Sequence, residues 1–151
     1  MSLYRNHLLA HWVKNFLRYN MLDCLILGDS IAYGVSNIRT ERVAYAKSGI
    51  NSLVWNDKYN LKIEPAKTTI ISLGSNDTFS VKTEIELIAL RSRITEGRVF
   101  WILPAIKPER QKIVVKVANS YNDRVIRIPE VSTDGVHPTY NGYKRLGEMT
   151  K

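Results

Sequence analysis

Cysteine is almost absent from this chain, because Cys24 is the single one among 151 residues. One thiol excludes an internal disulfide framework and cannot assemble a thiolate zinc site. Its place in an apolar stretch predicts a small, buried hydrophobic side chain. Internal repeats, low-complexity segments and apolar runs long enough to span a bilayer are also absent. A length of 151 residues is then typical of one globular domain with its own core.

Acidic residues are scarce relative to basic ones, which leaves a formal net charge of +8 and a pI near 9.7. Such a balance favours anionic partners such as nucleic acid, anionic lipid or an acidic glycan. The lysines and arginines are scattered, however, and no aromatic motif of an RNA-binding module interleaves them. We therefore expect no nucleic-acid partner and interpret the charge as a source of solubility and weak anion attraction.

Residues 1–20 have the pattern of an amphipathic helix and are expected to be separate from a domain at 21–151. The apolar side of this helix comprises Leu8, Leu9, Trp12, Val13, Phe16 and Leu17. Charges recur along the segment and no small-residue cleavage site follows, so it does not resemble a signal peptide, and a cytoplasmic protein is expected. The helix is expected to pack on its own domain or on a partner subunit in a homo-oligomer. Peripheral membrane contact is the alternative.

Apolar strand-like runs alternate with helical patterns through the rest of the chain. The predicted strands are 24–27, 42–46, 69–73, 99–103 and 125–128, and the predicted helices are 51–59, 83–94, 111–122 and 138–149. Alternation of this kind is typical of a parallel sheet covered by helices on both faces. The fold class is therefore α/β, a three-layer α/β/α sandwich.

Polar residues and glycines recur where the predicted strands end. Ser30 follows the first strand, Gly49 the second, Asn76 the third, and Asp134 and His137 come after the fifth. Because the carboxyl ends of parallel strands share one edge of a sheet, we expect these residues to form one cluster. A serine, a histidine, a carboxylate and hydrogen-bond donors are the components that acyl transfer requires.

Four blocks of the sequence resemble the motifs of the SGNH hydrolases, also called GDSL esterases and lipases. The blocks are Gly28-Asp29-Ser30-Ile31, Gly49, Gly74-Ser75-Asn76-Asp77 and Asp134-Gly135-Val136-His137-Pro138. They occur in the family's order within residues 22–149. The resemblance implies a flavodoxin-like sandwich and hydrolysis of an ester, often an acetyl ester on a sugar. This chain is short for the family, so we expect trimmed loops around the site.

The resemblance and the chemistry together suggest a role for each residue. Ser30 would be the nucleophile, His137 its base, and Asp134 the carboxylate that orients His137. The Asn76 side chain and the Ser30 and Gly49 amides would bind the oxyanion. These roles predict a serine esterase that acts through an acyl-enzyme on short-chain esters or on O-acetyl esters of a carbohydrate. No cofactor is expected, and no carboxylate–histidine set has the spacing of metal ligands.

Two other functions remain open from the sequence. The chain could be a catalytically silent binding or structural module that keeps the fold, or a lipase-like acyl hydrolase anchored to a partner or membrane through residues 1–20. Individual residues also have structural interpretations. Ser30 could cap a helix, His137 could be a surface loop residue, and Asp29 and Asp77 are expected to brace loops.

Overall fold

The described part of the chain folds around a sheet of five parallel strands. This computed structural model describes residues 10–13 and 21–151. The strands are β1 (Leu22–Gly28), β2 (Val43–Ala46), β3 (Ala66–Ser72), β4 (Arg98–Ile102) and β5 (Arg124–Ile126). The helices are α1 (Ser30–Ile38), α2 (Ser52–Tyr59), α3 (Thr83–Arg91), α4 (Pro108–Ser120) and α5 (Tyr140–Met149), with a 3₁₀ turn at Asn60–Lys62.

The strand order is β2-β1-β3-β4-β5, and every pairing between neighbouring strands is parallel. This is the flavodoxin-like order, and it confirms the expected α/β class and five-stranded parallel sheet. The chain leaves β1 for one side of the sheet to form β2 and then crosses back to form β3. Doubly wound proteins place their ligands at such a reversal, outside the carboxyl ends of the strands.

Side chains alternate between the two faces of the sheet and build two cores. Leu25, Leu27 and Ile71 lie on one face, in a buried cluster with residues of α2, α3 and α4. Cys24, Ile26 and Ile70 lie on the other face, in a cluster with residues of α1 and α5. Both faces of a central strand are thus apolar, which is why β1 has a continuous hydrophobic sequence. Cys24 is fully buried, as predicted.

Helix α1 was not predicted from the sequence, and it is the main correction to the secondary structure. Its sequence includes Gly34 and a β-branched valine, so intrinsic propensity does not favour a helix. Tertiary burial stabilises it instead, because Ile31, Ala32 and Val35 pack into the core between the sheet and α5. Its N-cap is Asp29, whose side chain accepts a hydrogen bond from the Ile31 amide, so the capping role considered for Ser30 belongs to its neighbour.

The remaining differences from the predicted elements are at their ends. Strand β3 begins three residues earlier than predicted, and β5 ends at Ile126 rather than at residue 128. Helix α3 ends at Arg91, three residues before the predicted end, and α4 begins at Pro108. Proline is well tolerated at a first helical position because an N–H there would have no partner within the helix. The predicted start of α4 at residue 111 missed this signal.

The predicted helix at residues 1–20 lies mostly outside the described residues. Residues 10–13 are helical, and the rest of that prediction, including the boundary at residues 20 and 21, stays a prediction. Within the residues that the structure describes, no helix has the length and apolar character needed to cross a membrane.

Candidate active site

Ser30 lies at the carboxyl end of β1, as the first residue of α1. The turn before it depends on Gly28, whose φ is +141°. A Cβ at this position would lie 1.8 Å from the Ser72 carbonyl oxygen of the adjacent strand, so no other residue fits without displacing β3. The Asp29 amide donates to that same carbonyl at 2.9 Å. The turn therefore presents the Ser30 side chain at the edge where the strands end.

His137 and Asp134 lie on one loop between β5 and α5. The loop is closed by a bridge between Val131 and Pro138 and by a 2.8 Å hydrogen bond from the Ser132 amide to the His137 carbonyl. Inside it, Asp134 Oδ1 accepts hydrogen bonds from the Val136 and His137 amides at 2.8 and 2.9 Å. The Ser132 hydroxyl donates to the same oxygen at 2.8 Å. The second carboxylate oxygen stays available for the His137 ring.

Three side chains that are distant in sequence form a continuous chain of contacts. Ser30 Oγ lies 2.8 Å from His137 Nε2, and His137 Nδ1 lies 2.7 Å from Asp134 Oδ2. An ionised carboxylate only accepts hydrogen bonds, so Nδ1 carries the proton. In the neutral ring Nε2 is then an acceptor, directed at the Ser30 hydroxyl. This arrangement is suited to removing the hydroxyl proton from Ser30.

Hydrogen bonding keeps Asp134 ionised. The backbone amides of His137 and Val136, followed by the His137 ring and the Ser132 hydroxyl, hold the pKa of the Asp134 carboxyl well below its usual range. The side chains of Asp134 and His137 are 49% and 41% exposed, so the site is open to solvent and to a ligand. A charged carboxylate at this position can stabilise an imidazolium form of His137.

Gly49 and Asn76 lie on neighbouring loops at the same edge of the sheet, after β2 and β3. Asn76 Nδ2 donates a hydrogen bond of 3.1 Å to the Ile50 carbonyl, which joins the two loops and leaves its second N–H available. Gly49 has a φ of +78°, a left-handed conformation, and a Cβ built there would meet nothing within 4 Å. The glycine is required by its backbone conformation, and the space beside it is open.

The backbone amides of Ser30 and Gly49 donate no hydrogen bond to any of the described residues. The Ser30 N–H belongs to the first turn of α1, where amides have no partner inside the helix. Donors at a helix N-terminus suit an oxygen that carries negative charge. Together with the Asn76 amide, the strand exits thus carry three N–H groups that can receive an anionic oxygen.

Two buried aspartates hold the loops of the site. Asp77 accepts hydrogen bonds from the Ser52 amide at 2.8 Å, the Ser52 hydroxyl at 2.5 Å and the Thr83 hydroxyl at 2.7 Å, which ties the β3 loop to the starts of α2 and α3. Asp29 accepts from Ile31 and, at 3.0 Å, from the Ser72 hydroxyl. These contacts agree with the bracing roles expected from the sequence.

The second oxygen of Asp29 is buried without a hydrogen-bond partner among the described residues. Burial raises the pKa of this carboxyl to about 6, although its hydrogen bonds to Ser72 and to backbone amides oppose the shift. Asp29 therefore holds a proton under conditions in which an ordinary aspartate is ionised.

Ser132 and Ser72 support the site but were not singled out in the sequence. Polar loop residues often bond side chains two positions away, and Ser132 and Asp134 have that spacing. The sequence therefore contained a signal for the contact of Ser132. No sequence pattern links Ser72 to Asp29, because the contact crosses from β3 to the turn after β1. Within the described residues, no group of three His, Cys, Asp or Glu side chains is placed to hold a metal ion.

Comparison with solved structures identifies a protein with the same architecture. It comes from Bacteroides uniformis and carries the provisional name of a GDSL-like lipase. The match has a TM-score of 0.63 at 11% sequence identity, and it covers 87% of this chain and 95% of the other. This chain thus has an SGNH/GDSL-type fold. No protein-family model matches the sequence, and no curated protein matches it at a significant level.

Proposed function

We propose that this protein is a serine esterase in which Ser30 is the nucleophile, His137 the general base and Asp134 the orienting carboxylate. One observation supports the proposal above all others, namely the contact series from Ser30 Oγ through the His137 ring to Asp134 Oδ2 at 2.8 and 2.7 Å. A serine hydroxyl is a weak nucleophile until an adjacent base takes its proton, and the short contact supports His137 as that base.

The reaction has two steps of similar form. Ser30 Oγ bonds to the ester carbonyl carbon while its proton moves to His137 Nε2, and the resulting imidazolium is stabilised by Asp134. The tetrahedral intermediate then expels the alcohol, which takes the proton from His137, and an acyl-enzyme remains on Ser30. Water next loses a proton to His137 and attacks the acyl carbon. Collapse of this second intermediate releases the carboxylic acid and returns the proton to Ser30.

The oxyanion of each intermediate is proposed to bind the Ser30 and Gly49 amides and the Asn76 side chain. All three groups follow the carboxyl ends of strands, and the two backbone N–H groups are free of other described partners. Preorganised donors of this kind stabilise developing charge without reorganisation, and each is typically worth about 2.7–4 kcal/mol of barrier.

We infer that the acyl group is short, with acetyl esters on a carbohydrate as the preferred class. A groove of about 190 Å³ lies beside Gly49 and is lined by Lys47, Ser48, Gly49, Ile50, Asn51 and Val54. This volume suits a small acyl group better than a long lipid chain, since drug-sized ligands occupy pockets of roughly 300–1,000 Å³. The exposed triad is also compatible with a bulky alcohol such as a sugar.

The experiment that tests this function is covalent labelling by a fluorophosphonate together with hydrolysis of p-nitrophenyl acetate. Wild-type protein should be labelled and active, and Ser30→Ala should lose both properties while retaining its fold. Ser92→Ala is the matched control, because the Ser92 hydroxyl lies at the end of α3, where it donates to the Ala89 carbonyl. Labelling that survives in Ser30→Ala would place the nucleophile elsewhere. A folded wild-type protein without labelling or hydrolysis would favour the catalytically silent module.

A further inference from the structure

A groove lined by three basic side chains lies at the carboxyl ends of β4 and β5. It consists of two adjoining depressions of about 150 and 360 Å³, which share Leu103, Gln111 and Arg127. We call it the β4–β5 groove. Ile128 and Val131 line its smaller part, and Lys112, Val115 and Lys116 line its larger part. Its walls are thus partly apolar, and its charged groups are all positive.

The three basic side chains of this groove differ in whether they form an ion pair with a described residue. Lys116 Nζ contacts Glu84 Oε1 at 2.7 Å, so one cation is already paired. The side chains of Arg127 and Lys112 make no hydrogen bond or ion pair with the described residues, and no acidic side chain of that part of the chain lines the groove. Within the described part of the chain, both side chains are thus available to an anion. An arginine suits a planar anion well because its guanidinium offers forked donors.

The groove adjoins the loop that carries the catalytic histidine. Val131 lines it and also forms the bridge to Pro138 that closes this loop, and the next residue, Ser132, hydrogen-bonds both His137 and Asp134. In ester cleavage the histidine gives its proton to the departing alcohol, so the alcohol leaves on the histidine's side. The oxyanion donors Gly49 and Asn76 belong to other loops, after β2 and β3.

We propose that the β4–β5 groove binds the alcohol portion of the substrate and that this portion carries a negative charge, recognised by Arg127 and Lys112. The inference rests on the proposed esterase function and makes it more specific. The substrate class is a short-chain ester of an anionic alcohol, for example an acetylated acidic sugar. The apolar walls at Leu103 and Val115 would contact the carbon framework of that alcohol, while the two cations receive its anionic group.

The test compares two esters of the same phenol ring with a para substituent that is anionic in one and neutral in the other, 4-acetoxybenzoate and 4-acetoxybenzamide. The readout is the ratio of their kcat/KM values, which cancels differences in the fraction of active protein. We expect wild type to prefer the anionic ester, and Arg127→Gln and Lys112→Gln each to lower the ratio about fivefold, as the loss of an exposed ion pair of about 1 kcal/mol predicts. Lys58→Gln removes the same charge from an exposed residue of α2 outside the groove and should leave the ratio unchanged.

Each alternative result has a definite meaning. An unchanged ratio in both groove variants, with the neutral ester hydrolysed, would overturn this inference and leave the esterase function standing. Absence of hydrolysis of either ester by wild type would overturn the esterase function and this inference together. A third arm uses mono-4-nitrophenyl succinate, whose charge lies on the acyl side. If the groove variants impair that ester rather than 4-acetoxybenzoate, the assignment of the groove to the alcohol is wrong.

Discussion

Replacing Asp134 by asparagine separates its two functions, because each carboxylate oxygen has a different set of partners. Oδ1 accepts from the amides of Val136 and His137 and from the Ser132 hydroxyl, and these contacts shape the loop. Among the described residues, Oδ2 accepts from the His137 ring alone, at 2.7 Å. An asparagine retains an oxygen for the loop contacts and places an amide N–H₂ against His137 Nδ1.

The substitution should therefore reverse the tautomer of His137. Facing a donor, Nδ1 becomes the acceptor and the proton moves to Nε2, which then points an N–H at Ser30 Oγ and cannot take its proton. In Ser-His-Asp enzymes the wrong tautomer lowers kcat about 10⁴-fold, and we expect a loss of that order here. The loop keeps its backbone hydrogen bonds, so the melting temperature should change little. Both quantities are measured on one preparation, with p-nitrophenyl acetate as the substrate.

Ser132→Ala is the matched control for this experiment. It removes one donor to Asp134 Oδ1 and leaves the contact between Oδ2 and the His137 ring in place. We expect less than a tenfold loss of kcat, since the tautomer of His137 is retained. Asp134→Asn with near-normal kcat would refute the orienting role and leave Asp134 as a loop brace. A large fall in melting temperature would instead show that the loop depends on the charge of the carboxylate.

Three further predictions follow from other residues of the site. Asn76→Ala should lower kcat about 10²–10³-fold with little change in KM, because an oxyanion contact tightens in the transition state; a variant that melts earlier but keeps kcat would show that Asn76 only joins its loop to Ile50. Asp77→Ala leaves the Ser52 and Thr83 donors buried without an acceptor. It should lower the free energy of unfolding by about 3 kcal/mol, which thermal denaturation would record as a melting temperature lower by roughly 10 °C. Because the pKa of Asp29 is raised to about 6, the folded state still binds a proton that the unfolded chain has lost above about pH 4. The free energy of unfolding should therefore fall by about 3 kcal/mol as the pH rises from about 4 to above 6. Urea denaturation of Asp29→Asn should show a weaker decline over that range, and equal slopes for both proteins would contradict the assignment.

The sequence by itself determined the class of fold and the residues of the candidate site. Strand β1 is apolar at consecutive positions, which is the signature of a strand buried on both faces, and the structure buries it between two layers of helices. Polar residues and glycines follow the ends of the strands, and this pattern predicted that the site lies at one edge of the sheet. These signals are local, because hydrophobic periodicity and glycine-containing turns depend on residues close together in the chain.

Only the tertiary structure decided which of these residues meet. Ser30 and His137 are 107 positions apart, and their 2.8 Å contact depends on the strand order and on the conformation of the loop closed by Val131 and Pro138. Helix α1 was likewise decided by burial against the sheet and α5, which outweighed its weak intrinsic propensity.

The β4–β5 groove is a further product of the tertiary structure. Lys112 and Arg127 appear in the sequence as two of 22 scattered cations, and neither the spacing nor the neighbouring residues distinguish them. Folding brings α4 and the end of β5 together, and it places these two charges beside apolar walls with no ion pair to any described residue. Charge is a property of composition, but its neutralisation depends on distances between residues that are remote in the chain. For that reason the sequence determined that the protein is basic, and the fold decided which of these charges are paired among the described residues.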